Sequence, residues 1–83
     1  MNYYDRALAK QFDDYVTYNG YALVNELYED DEGFYKNTWM WGEVNGDYVD
    51  NVKILKGLSS NSYAKYSEAK EVFTALIDGL TTT

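Results

Sequence analysis

Residues 34–55 read FYKNTWMWGEVNGDYVDNVKIL, and this stretch decides the fold. Two runs rich in aromatic and β-branched side chains flank Asn45-Gly46. Asn-Gly between such runs is the strongest short hairpin signature, because both central residues of a type I′ turn need positive φ. With Asn45 and Gly46 in the turn, Val44 opposes Asp47, Glu43 opposes Tyr48, Trp41 opposes Asp50, Trp39 opposes Val52 and Asn37 opposes Ile54. One face then collects Tyr35, Trp39, Trp41, Tyr48, Val52 and Ile54; the other carries Lys36, Thr38, Met40, Val49, Asn51 and Lys53. A slip of one residue would turn both tryptophans to solvent, so the pattern specifies its own pairing.

Upstream, residues 21–28 (Tyr-Ala-Leu-Val-Asn-Glu-Leu-Tyr) fit helix or strand, and their aromatic and β-branched content favours strand. Residues 29–33 form a polar turn ending in Gly33. Further back, Tyr4, Ala7, Leu8, Phe12 and Tyr15 recur at three- and four-residue spacing, with Asp5, Arg6, Lys10 and Asp13 opposite. That spacing predicts a helix over 3–16, capped by Asn2 and ended by an Asn19-Gly20 turn.

Downstream, residues 57–62 read as a loop and a second helix starts near Ser62 or Ser67. Its apolar stripe is Tyr66, Ala69, Phe73, Leu76 and Leu80, with Val72 and Ile77 beside it. Gly79 is the expected C-terminal stop, and residues 81–83 a frayed tail. The whole is one α+β domain over 1–83: a three-stranded antiparallel sheet flanked by an N-terminal and a C-terminal helix, in the order αβββα.

Composition narrows the chemistry. The 83 residues contain no cysteine, no histidine and no proline, while fifteen are aromatic (ten Tyr, three Phe, two Trp). Disulfide scaffolds, thiolate metal sites and histidine-based catalysis are therefore excluded. An apolar content of 46% argues against disorder. The longest apolar run is four residues, 21–24, far short of the ~20 that a membrane span needs. Nothing after Met1 resembles a targeting signal, so a cytoplasmic protein with no membrane partner is expected.

The net charge of −7 is unevenly placed. Residues 26–50 hold Glu26, Glu29, Asp30, Asp31, Glu32, Glu43, Asp47 and Asp50 against Lys36 alone, a net −7; the flanks contribute −1 and +1. Two clusters result, 26–32 and 43–50, separated by the aromatic strand. Acidic turns also serve plain solubility. As a binding surface they repel nucleic acid and attract a basic protein. Same-face side chains on a strand lie about 6–7 Å apart, so carboxylates on turns and edges can occupy sites built for phosphates. Tyr28 and Tyr48 join them, offering large contact area with a polar tip.

Enzymatic use of paired carboxylates needs a cleft that so short a chain scarcely offers, and no catalytic residue or cofactor is expected. Asp30-Asp31-Glu32 and Asp47 to Asp50 lack the alternating ligand spacing of a calcium loop, so no metal site is assigned. Trp39-Met40-Trp41 with Tyr35 and Tyr48 could stack on bases or sugars, but filling a core under two helices is the stronger reading.

In size, charge and element order the chain resembles small acidic inhibitors of bacteriophages and mobile elements. These are anti-CRISPR proteins, DNA-mimicking antirestriction proteins and uracil-DNA glycosylase inhibitors. Some anti-CRISPR inhibitors of Cas9 share a layout of helix, acidic three-stranded sheet and helix. The resemblance implies a non-enzymatic inhibitor that binds the basic nucleic-acid-binding surface of a target protein. The alternative is a generic interaction module, or a small homo-oligomer burying tyrosine-rich surface.

Overall fold

The computed structural model describes residues 3–82. The elements in order are β1 (Tyr4–Leu8), a 3₁₀ turn (Ala9–Gln11), β2 (Asp14–Tyr18), β3 (Tyr21–Glu29), β4 (Tyr35–Asn45), β5 (Tyr48–Ile54) and α1 (Tyr66–Thr81). The strands form a single antiparallel sheet in the order β1-β5-β4-β3-β2. The expected three-stranded sheet between two helices is thus corrected to five strands and one C-terminal helix.

The N-terminal helix over 3–16 is absent, and the reason lies in pairing. Its apolar spacing is satisfied by three separate pieces of chain. Tyr4 and Ala7 lie on β1 against β5, Phe12 sits in the connection, and Tyr15 is exposed on β2. Residues 14–18 are rich in aromatic and β-branched side chains, which favour a pleated strand over a helix. Asn19 and Gly20 take φ of 49° and 84°, the two positive values of a type I′ turn, and close Tyr18 onto Tyr21. The Asn2 cap lies outside the described residues.

The strand over 21–28 is present as β3, and the β4–β5 hairpin is present with a different register. Asn45 pairs with Tyr48, so the turn residues are Gly46 and Asp47. Gly46 has φ 62° while Asp47 is not left-handed, the glycine-first arrangement of a type II′ turn. A bulge then falls between Trp41 and Glu43, opposite the stretch from Asp50 to Lys53, where Asn51 has φ 54°. The extra residue reverses the facing of β5 beyond it, so Val49 and Val52 share one face with Met40. Val52 therefore does not lie with the tryptophans, and Met40 and Val49, expected on the outer face, are fully buried.

Both faces are covered. On one, α1 lays Ala69, Phe73 and Ile77 over Leu23, Trp39, Leu55 and Ala64. On the other, Ala7, Ala22, Val24, Met40, Val49 and Val52 are capped by Phe12. That cap follows from topology. β1 and β2 occupy opposite edges, yet only a short connection joins them. Three residues of 3₁₀ turn and three extended steps reach about 16 Å, whereas a flat sheet of five strands is about 19 Å across. The sheet must curl toward this face, which places Phe12 over it.

The helix differs in detail from expectation. Lys65, not Ser62 or Ser67, stands at its N-cap, and no side chain caps it. Gly79 lies inside α1 rather than ending it, and Thr81 is still helical. Leu80 is exposed, so the buried stripe is Ala69, Phe73 and Ile77. No helix among the described residues is long and apolar enough to cross a membrane.

Candidate functional site

The acidic residues separate to the two ends of β4. Glu26, Tyr28, Glu29, Asp30, Asp31 and Glu32 sit on β3 and the β3–β4 turn, whereas Glu43, Asp47, Tyr48 and Asp50 surround the β4–β5 turn. The eleven residues of β4 put roughly 33 Å between the ends. The two clusters therefore form two patches, not one.

Several of these acids are occupied within the fold. Glu26 accepts a 2.7 Å hydrogen bond from the Tyr4 phenol. Asp30 organises its turn: Oδ1 accepts the backbone N–H groups of Glu32 and Phe34, both at 2.9 Å, and Lys36 Nζ lies 3.4 Å from Oδ2. The Phe34 N–H above all, then that of Glu32 and the Lys36 ammonium, hold the Asp30 carboxyl below the usual range. Asp50 accepts Arg6 Nε at 2.6 Å and Nη2 at 3.2 Å, and Asn45 Nδ2 at 3.0 Å. Arg6 is the main cause of its lowered pKa, with Asn45 second. Glu43 accepts from Asn51 at 2.7 Å. Glu29, Asp31, Glu32 and Asp47 make no such side-chain bonds among the described residues, and all four are exposed.

The β3–β4 end carries more than charge. An open-mouthed concavity of about 650 Å³ is lined by Asp30, Asp31, Glu32, Phe34, Tyr35, Lys36 and Tyr63. Phe34, Tyr35 and Tyr63 are 64%, 67% and 66% exposed, the three highest values among the large apolar side chains of the described residues. Leu27 and Tyr28, on the same end of β3, are also exposed. Lys36 Nζ lies 5.6 Å from the centre of the Tyr63 ring. The Tyr63 phenol, followed by Asp30, raises the Lys36 pKa above its ordinary value.

Tyr63 reaches this place through a tethered loop. Asn61 acts as a substitute strand beside β4, accepting Trp39 N–H at 2.8 Å and donating to Trp39 O at 3.0 Å. Asn37 N–H donates to Ser62 O, and Asn37 Nδ2 to Ala64 O at 2.8 Å. Trp39 Nε1 donates to the same Ala64 carbonyl at 2.9 Å. Beneath them the buried Asn25 donates to Asp14 and Asn37 and accepts Thr38 N–H. The loop is thereby fixed along the edge of β4 where β5 no longer runs.

The other end exposes fewer large apolar side chains, Tyr15 and Tyr48. Tyr48 stacks under the Arg6 guanidinium, 5.1 Å from ring centre, and a smaller concavity of about 470 Å³ is bordered by Leu8, Lys10, Tyr15 and Asp47. No group of three or more acidic side chains among the described residues is placed to hold a metal ion. Trp39 is buried and Trp41 half-buried under Lys53, so the Trp-Met-Trp run is core and not a stacking platform.

Phe34, Tyr35 and Tyr63 were not among the residues that charge patterning selects. Phe34-Tyr35 directly after an acidic turn is a local signal of an exposed aromatic patch. Tyr63 has none, since it joins the site only through loop pairing with β4. Against protein-family models, curated proteins and solved structures, the chain has no significant match.

Proposed function

We propose that the chain is a non-enzymatic binding protein that docks on, and blocks, a basic nucleic-acid-binding surface of another protein. The β3–β4 end is its contact surface. One observation carries this reading: free carboxylates at Asp31 and Glu32, with Glu29 opposite Tyr35 in the ladder, border the most exposed large aromatic side chains among the described residues. Aromatic anchors within a charged rim are how protein interfaces gain both affinity and steering. An acidic surface of this kind suits a target evolved to hold phosphates, such as a CRISPR-Cas effector or another nucleic-acid enzyme.

The test is competition. Labelled DNA bound to a panel of basic nucleic-acid-binding proteins, a Cas9-type effector among them, is titrated with the chain. Displacement from a member of the panel is expected, weakening as salt rises. The triple charge reversal Glu29→Lys, Asp31→Lys and Glu32→Lys should raise the competing concentration at least about tenfold, since rim charges chiefly set encounter and register. Asp47→Lys, at the far turn, should change it much less. Asp30 and Asp50 are left intact, because reversal there would disturb the turn or the Arg6 pair rather than the surface alone. A triple variant that competes as well as the parent chain would sink the reading.

A further inference from the structure

We propose that the concavity between the β3–β4 turn and Tyr63 is an arginine-binding cleft, receiving a guanidinium presented by the basic partner. The inference rests on the docking role proposed above and names the chemistry of its central contact. Its first support is that Phe34, Tyr35 and Tyr63, the most exposed large apolar side chains among the described residues, all line this one concavity. Exposed rings gathered at one place mark an interaction site, whereas the same rings scattered singly would not.

Charge selects the guest. Asp31 and Glu32 stand at the rim with no ion pair among the described residues, so the aromatic walls open beneath uncompensated negative charge. An anion such as a nucleotide phosphate is repelled there, and a cation is drawn in. The chain's own cation already shows the mode: Lys36 sits between the Asp30 carboxylate, 3.4 Å away, and the Tyr63 ring, 5.6 Å from its centre. With Asp30 and one side of Tyr63 engaged by Lys36, the remaining surface is Phe34, Tyr35, the rest of the Tyr63 ring and the Asp31 and Glu32 carboxylates.

That remainder suits guanidinium better than ammonium. A planar, weakly hydrated cation can lie flat on a ring while its edge donates paired N–H groups to a carboxylate; a compact ammonium does one or the other. The volume of about 650 Å³ falls within the range of ordinary ligand clefts and exceeds what one side chain fills, leaving room for a neighbouring residue of the partner.

The full chain is titrated with a blocked tri-arginine peptide and, separately, with a blocked tri-lysine peptide, both followed by amide and aromatic NMR shifts. Expected is an affinity at least about fivefold higher for the arginine peptide, with shifts concentrated at residues 30–36 and 63. Tyr35→Ala and Tyr63→Ala should each weaken it severalfold while leaving thermal unfolding nearly unchanged, because both rings are largely exposed. Equal affinity for the two peptides, or shifts centred on the β4–β5 turn, would overturn the cleft. So would unaltered binding in both tyrosine variants. The outcomes separate the two proposals. Selective arginine binding without displacement of DNA from any panel protein refutes the inhibitor role and keeps the cleft. Displacement that the triple charge reversal abolishes, with no preference for arginine, keeps the role and refutes the cleft.

Discussion

Tyr4 donates its phenolic proton to Glu26 across the Phe12-capped face, and that single bond sets a measurable property of the fold. The Glu26 carboxylate accepts the hydrogen bond and so favours the protonated phenol, and burial beside Phe12 adds to the effect, so the Tyr4 pKa is pushed up to about 12. A phenol whose folded pKa lies above its unfolded value stabilises the fold fully below the unfolded value, near 10, and loses that contribution as pH rises toward the folded one. Thermal stability should accordingly fall between about pH 10 and 12, and Tyr4→Phe should fall less over that window. The ultraviolet tyrosinate titration of Tyr4→Phe should lose one phenol from its late end; loss from the main wave instead would show that the bond to Glu26 is not held in solution. Charge density alone groups Glu26 with an acidic binding cluster. Its role as an acceptor depends on β1 pairing with β5, more than forty positions away, and nothing local announces it. Asp30 is a contrasting case, since an aspartate opening an acidic turn that ends in glycine is a familiar turn former. The acidic half of the site was thus legible from charge density. The aromatic half was not, because Tyr63 is brought in by the Asn61 and Asn37 bonds to β4.

Among the elements, the two Asn-Gly pairs decided how much of the fold could be read. At 45–46 the pair gave the correct hairpin with a register two positions off as far as the bulge, because the turn uses Gly46 and Asp47, and three positions off beyond it. At 19–20 the same pair closes the β2–β3 hairpin, yet the helical spacing upstream outweighed it. Period alone cannot separate a helix from two short strands whose apolar residues happen to fall three and four apart. The β5 bulge was beyond sequence reading for a different reason: it is set by close approach at Gly42. A Cβ at that position would stand 2.6 Å from Asp50 O and 2.7 Å from Val49 Cγ1, so β5 can lie in its bulged path only past a glycine. Gly42→Ala should cost roughly 1–3 kcal/mol, the range for forcing extra volume into packed structure. Gly79→Ala is the control, since a Cβ there meets nothing within 4 Å and the residue lies inside α1. It should stabilise by up to about 1 kcal/mol through helix propensity. Urea denaturation of both variants checks the pair, and an indifferent Gly42→Ala would mean that the bulge does not depend on this contact.

At the scale of the whole molecule, one curled sheet serves two cores. Neighbouring residues alternate between them: Ala22 and Val24 face the Phe12 side while Leu23 faces α1, and Met40 and Trp39 divide the same way. Neither core can open without disturbing strands that the other needs, so both should belong to one cooperative unit although they do not touch across the sheet. Chain length sets the scale of the test. At about 0.05–0.15 kcal/mol per residue, a domain of this size has roughly 4–12 kcal/mol to lose. Phe73→Ala removes the largest helix side chain in the α1 core and should cost about 3–5 kcal/mol, and Phe12→Ala nearly as much from the opposite face. The two sites share no partner, so their losses should add to within about 0.5 kcal/mol. Trp39 and Trp41 both belong to the α1 side, so their fluorescence reports that core alone, whereas far-ultraviolet circular dichroism reports the whole sheet. In urea, Phe12→Ala should move both signals together to a lower midpoint with unchanged steepness. A fluorescence transition that stays at the parental midpoint while the dichroism shifts would show two separately melting faces, and the edge strand β1 with its Phe12 cap would then be an attachment to the fold rather than part of it.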